Sequence, residues 1–327
     1  MTTKRVISGM RPSGKLHLGH LFGALDSWRT LQEEYSCLFF AADWHALTSE
    51  YEDTKKIKED IIEMVTDWLC AGIDPEKSIL FIQSRIPEHA ELHLILSMIT
   101  PLAWLTRNPT YKEQQQEITN KDLSTYGFLG YPVLQASDII IYKSIKVPVG
   151  MDQLPHLELC REISRRFNFL YKEVFPIPEP ILTEVPKLLG VDNRKMSKSY
   201  GNAIYISDSK NDVANKVGQM ITDPQRARRS DPGDPTICNV FSFHNLFSPE
   251  EETEQVEKAC PVAGIGCVEC KKKMALYLNA YLEPFREKRA EILNHRKRLY
   301  EILDHGNKRA REIAISTMEE VREAIRI

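Results

Sequence analysis

The apolar run Val6-Ile7-Ser8-Gly9 leads into Pro12-Ser13-Gly14-Lys15-Leu16-His17-Leu18-Gly19-His20, and Leu21, Phe22, Ala24, Leu25 and Trp28 follow at helical spacing. This reads as strand, tight turn and helix, with Pro12 and Gly14 supplying the turn chemistry. The first turn of such a helix presents free backbone N–H groups and a positive dipole end. His17 and His20 fall on one face of it. The arrangement suits an anion, above all a phosphate chain. Gly19 lets a flat group lie on the backbone, where a Cβ would otherwise sit. Taken alone, the stretch is a capped helix with two surface histidines.

A second stretch changes that reading. Lys195-Met196-Ser197-Lys198-Ser199 is followed by Tyr200-Gly201-Asn202, a loop composition. Two lysines three apart on such a loop can close over a polyphosphate and neutralise the charge that builds as a phosphorus–oxygen bond breaks. By itself this is a solvated basic loop. Present together and in this order, the two stretches resemble the HIGH and KMSKS signatures of class I aminoacyl-tRNA synthetases.

The rest of the chain frames these stretches. Cys37 to Ala42 and Ile79 to Gln83 are continuous apolar runs, and each reads as a buried parallel strand followed by a helix. The first of them ends in Asp43-Trp44-His45-Ala46, polar groups at the carboxyl end of a strand, where open α/β sheets bind ligands. Residues 108–126 are polar and irregular, with Lys112 and a glutamine run; they read as an insertion over the site or as a surface loop. Tyr131 to Ile140 reads as a helix with Pro132 in its first turn, and Tyr131, Gln135 and Asp138 share one face of it. Polar groups on an apolar helix need partners, so a ligand or ordinary internal hydrogen bonds are expected there. Val147 to Gly150 is a further strand ending in Met151-Asp152-Gln153. His156 and Glu158, early in the next helix, read as a solvated face.

Strand–helix alternation predicts an α/β fold, a doubly wound parallel sheet of Rossmann-like type. After Ser207 the pattern is helical throughout: residues 211–220, 239–246, 251–258, 271–303 and 308–325. The expected division is therefore residues 1–205, the α/β domain with the lysine loop, and residues 206–327, an all-helical C-terminal domain. Arg286, Lys288, Arg289, Arg296, Lys297 and Arg298 form a basic run, read as a solvated face or a phosphate contact.

The 327 residues carry a net charge of −3, low for a non-specific nucleic-acid binder. DNA is not an expected partner, and any RNA would be recognised by shape and a few bases. No apolar run approaches a membrane span, and the N-terminus enters the first strand at once, so neither a membrane partner nor a secretory signal is expected. A cytoplasmic enzyme is the expectation, with its seven cysteines as thiols or metal ligands. Cys37, Cys70 and Cys160 fall in apolar patterns and read as core. Cys238, Cys260, Cys267 and Cys270 include a CxxC pair and make four thiolates, a ligand set for Zn²⁺ or a [4Fe–4S] cluster, and spacing alone leaves both open.

Over nearly its whole length the chain resembles the bacterial tryptophanyl-tRNA synthetases. The matching stretches are Ser8 to Gly14, His17 to His20, Asp43 to Ala46, Tyr131 to Asp138, Val147 to Gln153, Lys195 to Ser199, Thr222 to Pro224 and Arg228 to Gly233. The resemblance implies a homodimer that uses ATP and Mg²⁺ to make tryptophanyl-adenylate from L-tryptophan and then charges tRNA(Trp). It implies that Asp138 accepts the indole N–H, that Tyr131, Gln135 and Gln153 hold the ammonium and carboxylate, that His45 lies nearby and that Gly9 floors the pocket. It implies ATP contacts from Arg11, Pro12, Ser13, Gly19, His20, Gly150, Met151, Asp152 and Leu188, with the lysine loop from Lys195 through Met196, Ser197, Lys198 and Ser199. It gives His17, His20, Lys195, Lys198 and Lys112 catalytic roles at the phosphates. One branch of the family carries a [4Fe–4S] cluster on cysteines patterned like Cys238, Cys260, Cys267 and Cys270, which favours the cluster over Zn²⁺. The helical domain is then the anticodon-binding one. Many members have Glu where Met151 stands, and Gln135 replaces a common Met and resembles the tyrosyl enzymes.

Three alternatives follow. A tyrosine–tRNA ligase shares the fold and both signatures, but Ile7 stands where tyrosyl enzymes commonly place a Tyr to share the phenol hydroxyl. A regulatory relative would be expected to have lost a signature, and both are intact. A nucleotidyltransferase making a small cofactor does not need the basic helical region.

Overall fold

The computed structural model describes residues 4–108, 123–182, 188–198 and 200–327. They fall into two compact units, each discontinuous in sequence. The first takes in Met1–Gly14, Asp26–Glu184 and His295–Ile327, and the second Lys15–Leu25 and Val185–Asn294. This packing division differs from a single cut after residue 205.

The first unit is built on five strands: β1 (Arg5–Met10), β2 (Ser36–Ala41), β3 (Ser78–Ile82), β4 (Lys146–Val149) and β5 (Glu179–Leu182). Their order is β3-β2-β1-β4-β5, and every pairing is parallel. The chain winds outward from β1 to β3, then returns to the other side of β1 to place β4 and β5. Such an order makes a switch point between β1 and β4, where the loops at the strand ends part and leave a crevice. β5 was not expected from the sequence. It contains Pro180 and lies at the sheet edge, where a missing N–H costs no ladder bond.

Helices α1 (Asp43–Glu50), α2 (Ile57–Cys70), α3 (Glu88–Ile99), α4 (Tyr126–Ile140) and α5 (Leu154–Leu170) accompany the sheet. Helix α4 starts five residues earlier than the sequence pattern suggests. Thr125 caps it by accepting the Phe128 N–H, and Pro132 therefore sits inside the helix rather than in its first turn. One apolar core joins Ile7, Leu38 and Phe81 of the strands to Leu92, Val133, Ile140 and Ile163 of the helices. Each such side chain contributes about 1.5–3 kcal/mol by burial. Cys37, Cys70 and Cys160 are buried, as expected.

The last helix, Arg296–Ile325, packs as part of this unit. Its Ala310, Ala314, Met318 and Val321 lie in the core of the sheet. It also runs unbroken through Gly306, where the sequence suggested a gap.

The second unit is helical: Lys210–Gln219, Asn239–Phe247, Glu250–Ala259 and Cys267–Asn294. Ser209 and Asp212 form a capping box at the start of the first of these. The expected helix over residues 271–303 instead ends at Asn294. Within the basic run, Arg286 is tied to the Asp208 carbonyl at 2.8 Å and to Asn279, and Arg289 is buried. Arg286 and Arg289 thus serve the fold, and Arg296 pairs with Glu59 at 3.4 Å. Among the described residues no helix is long and apolar enough to cross a membrane.

Candidate active site

At the switch point of the first unit lies a cavity of about 320 Å³. It is lined by Gly9 and Arg11 after β1, His45 on α1, Tyr131, Gln135 and Asp138 on α4, and Gly150 and Gln153 after β4. Eight residues singled out in the sequence therefore meet in one place. Gly9 is there because a Cβ would lie 2.3 Å from Cζ of Phe40, whose ring fills the floor. Asp152 and Met151 are exposed beside it, Met151 at 71 %.

Asp138 is 1 % exposed, and its carboxylate is surrounded by donors. His45 Nε2 lies 2.8 Å from Oδ2, and His89 Nδ1 lies 2.6 Å from Oδ1. Gln83 Nε2 donates to both oxygens, at 2.8 and 2.9 Å. Burial opposes ionisation, yet the hydrogen bonds and charge of His45 and His89 hold Asp138 well below the usual carboxylate range. At the other side of the cavity the Tyr131 hydroxyl is 2.8 Å from His156 Nε2. His156 Nδ1 is 3.2 Å from Asn108 Nδ2. Burial lowers His156 to about 4, with His45 adding to it, so the ring is neutral near pH 7. Burial pushes the Tyr131 hydroxyl up, and it stays protonated. His156 is thus a buried cavity residue, not the solvated surface position expected; Glu158 is exposed.

The second unit brings the two signature stretches together. Leu18 N–H donates to the Ile204 carbonyl at 3.0 Å, and Ile206 N–H to the Leu16 carbonyl at 2.9 Å. The segment following the lysine loop therefore straps the His17–His20 turn. A Cβ on Gly19 would lie 2.9 Å from the His17 ring and 3.9 Å from the Met196 Cβ, so glycine makes room for the imidazole at this position. Burial lowers His17 to about 4 and His20 to about 3, and the Lys198 ammonium pushes both further down. Neutral imidazoles next to a lysine can donate to a phosphate without repelling that lysine.

Asn202 braces the loop. It is 2 % exposed, donates to the Lys195 carbonyl at 3.1 Å and accepts the Ser197 N–H at 2.8 Å. Lys195 is exposed, Met196 and Leu188 are buried. Lys112 and Ser199 lie outside the described residues. In the first unit, Pro12 is buried, Ser13 is exposed and Arg11 hydrogen-bonds Ser49.

The family of class I tRNA synthetases (W and Y) matches residues 2–283. A tryptophan–tRNA ligase of Thermotoga maritima is 53 % identical over 325 residues, covering 99 % of each chain. One of Aquifex aeolicus is 46 % identical, over 99 % of this chain and all of its own. The crystal structure of the Campylobacter jejuni tryptophanyl-tRNA synthetase, complexed with ADP and tryptophan, superposes with a TM-score of 0.91 at 36 % identity, over 99 % of this chain and 100 % of that one. The chain belongs to the class I tryptophanyl-tRNA synthetases.

Gln83, His89, Asn108 and Asn202 of this synthetase were not singled out in the sequence, and His156 was read there only as part of a solvated face. Gln83 stands at the carboxyl end of β3, the position that drew attention to His45 after β2. His89, His156 and Asn108 carried no such signal.

The four cysteines of the synthetase's helical unit are gathered but do not grip one ion. Cys238, Cys260 and Cys270 pack around Phe241, Val256 and Ile265. Burial raises Cys270 to about 12, with Cys238, Cys260 and Cys267 adding to the rise, so the four sulfurs feel one another. Arg226 hydrogen-bonds the Cys260 Sγ at 3.8 Å and the Ile265 carbonyl at 2.7 Å, and Arg229 reaches the Ala263 carbonyl. Among the described residues no group of three His, Cys, Asp or Glu side chains is arranged to hold a metal ion. The expected four-thiolate set is thus not formed around a single ion position.

Proposed function

We propose that the chain is a tryptophan–tRNA ligase that activates L-tryptophan with ATP and transfers it to tRNA(Trp). The observation that carries this reading is the donor-lined carboxylate of Asp138 in an apolar-floored cavity of a tryptophanyl-tRNA synthetase. An indole N–H is a donor without a lone pair, and Asp138 is a buried acceptor in the cavity wall. Tyr131, Gln135 and Gln153 hold the ammonium and carboxylate of the amino acid, with His45 and Gly9 at the ring. Arg11, Pro12, Ser13, Gly150, Met151, Asp152 and Leu188 are assigned to ATP.

His17, Gly19, His20, Lys195, Met196, Ser197, Lys198 and Ser199 are assigned to the phosphates, with Lys112 as a further cation. The tryptophan carboxylate attacks the α-phosphorus, that P–O bond forms, and the bond to pyrophosphate breaks. Neutral His17 and His20 donate to phosphate oxygens, and Lys195 and Lys198 offset the charge on the leaving pyrophosphate. Mg²⁺ accompanies ATP. No protein nucleophile is needed, because positioning and charge stabilisation supply the rate.

The helical region after residue 205 carries tRNA(Trp) anticodon recognition. The protein acts as a homodimer in the cytoplasm; Leu94 and Met98, four apart on α3, are 55 % and 74 % exposed and offer an apolar face for a second copy. Cys238, Cys260, Cys267 and Cys270 ligate a [4Fe–4S] cluster, whose thiolates are spread more widely than those of one zinc ion and which supplies structural support. Iron and sulfide assays on anaerobically purified protein test this; zinc without iron would overturn it.

Amino-acid-dependent ATP–pyrophosphate exchange tests the central reading. Exchange with tryptophan, absent with tyrosine at equal concentration, is expected. Exchange with tyrosine would reverse the assignment of the pocket.

A further inference from the structure

The hydrogen bonds around Asp138 have a single direction. The Trp44 N–H donates to Gln83 Oε1 at 3.1 Å, which fixes the amide so that Nε2 faces the carboxylate. A carboxylate only accepts, so His89 Nδ1 carries its proton towards Oδ1. The other ring nitrogen, Nε2, lies 2.7 Å from the Tyr142 hydroxyl. Gln83, His89 and Tyr142 are all fully buried. The Gln83 and His89 protons both point inward to Asp138.

We propose that His89 and Gln83 are positioning residues that set amino-acid specificity by fixing Asp138 as an acceptor-only group. The inference rests on the reading that Asp138 receives the substrate ring. Three donors make four contacts with the carboxylate, because Gln83 Nε2 reaches both oxygens. Asp138 lines the cavity, where as a carboxylate it offers a substrate hydrogen only acceptor atoms, and the donors of Gln83 and His89 are already directed at it. An indole N–H meets its full complement there. A phenol hydroxyl donates its proton but leaves its oxygen without a donor, and a buried unpaired polar atom is what rejects a substrate strongly. His45 differs from the other two donors because it lines the cavity itself. His93, Tyr142 and Cys160 are the other titratable groups within electrostatic reach of Asp138, with Glu88 beyond Tyr142.

The test uses exchange kinetics of full-length variants between pH 5.5 and 8. His89→Leu removes one charge-assisted hydrogen bond and should raise the tryptophan KM about tenfold or more, with a further rise at the acid end as Asp138 takes up a proton. The KM for ATP should not move. His89→Asn places its Nδ2 where the imidazole Nδ1 stood, and should keep the tryptophan KM within about threefold of wild type, since the bond to the charged group survives. Gln83→Met removes the other fixed donor and carries the same expectation as His89→Leu, which provides a second arm if the first variant does not fold. A wild-type tryptophan KM in His89→Leu at every pH, or an equal defect in His89→Asn, would overturn the inference. Asp138→Asn separates the two layers: a raised tryptophan KM there with no effect at His89 and Gln83 sinks the positioning role alone. An unchanged KM in Asp138→Asn sinks the reading of the pocket and the inference with it.

Discussion

A Cβ built on Gly306 would lie 1.8 Å from the carbonyl oxygen of Leu80. The C-terminal helix therefore touches the edge strand β3 backbone to backbone, and the next residue uses that closeness. Asn307 Oδ1 accepts the Ile82 N–H at 2.9 Å, covering a donor of an edge strand. Arg311 to Glu88 and Arg322 to Glu91 fasten the same helix to α3.

Gly306→Ala should destabilise the protein although alanine favours a helix by about 1 kcal/mol. The contact is with backbone, which cannot rotate away, so the helix must lift. Overpacking of this kind costs about 1–3 kcal/mol or more. Thermal unfolding should show a Tm lowered by several degrees. A Tm equal to or above wild type would mean that the helix does not approach β3 this closely.

His156 should matter for tryptophan and not for ATP. It holds the Tyr131 hydroxyl at 2.8 Å inside the cavity, and its ring is neutral at working pH. Removing it in His156→Ala leaves a buried hydroxyl without its partner, a loss of about 1–3 kcal/mol. The expected outcome is a tryptophan KM raised about fivefold to a hundredfold by that loss, read in pyrophosphate exchange. An ATP KM that rises in parallel would point to a general loosening of the fold.

The low values of His17 and His20 make a pH prediction. Each lies below the ordinary histidine range, near 4 and near 3, because of burial first, with the neighbouring Lys198 charge adding. The unfolded chain takes up protons on these rings as the pH falls below about 6.5, while the folded protein does not until about 4. Stability should therefore fall as the pH is lowered through that window. Urea unfolding at pH 7.5, 6 and 5 checks the trend. In His17→Asn the fall from pH 7.5 to 5 should be shallower; an identical slope would show that His17 charges freely in the folded protein.

The sheet and its switch point were legible because apolar strands that end in polar residues are a local pattern. Asp43 to Ala46 and Met151 to Gln153 announced the cavity by standing at those ends. What escaped was set by tertiary contact. Gly306 looked like a helix break, yet it is a close-packing position, a role visible only once β3 is beside it. Pro180 hid β5, since a proline cannot donate to the ladder and weakens the reading of so short a segment as a strand. His156 sat near a helix start among polar neighbours, and nothing local distinguishes a solvated imidazole from one turned inward onto Tyr131. The expected boundary at residue 205 followed the change from strands to helices, but the last helix returns to the sheet.

Arg226 offers the last test, one that does not require any cofactor. Its guanidinium reaches the Cys260 Sγ, the Ile265 carbonyl and the Arg229 carbonyl, at 3.8, 2.7 and 3.1 Å. Gly233 permits this, because a Cβ there would stand 2.7 Å from Cys260 Sγ and 3.1 Å from Cδ of Arg226. One cation therefore ties residues 226–233 to the loop between Cys260 and Cys267. Arg226→Met keeps the aliphatic stem and removes the donors, so two carbonyls and a sulfur lose their partner at a cost of about 1–3 kcal/mol. That loss falls on a loop rather than on the core, and should appear as local opening. Hydrogen exchange of the amides from Ala263 to Gly266 should quicken about tenfold or more for an opening eased by that energy, while amides of β1 and β2 keep their wild-type protection. Arg226→Lys should restore only part of it, because an ammonium cannot span three acceptors in the plane that the guanidinium fork reaches. Unchanged exchange in the Met variant would show that the loop holds its shape without the arginine.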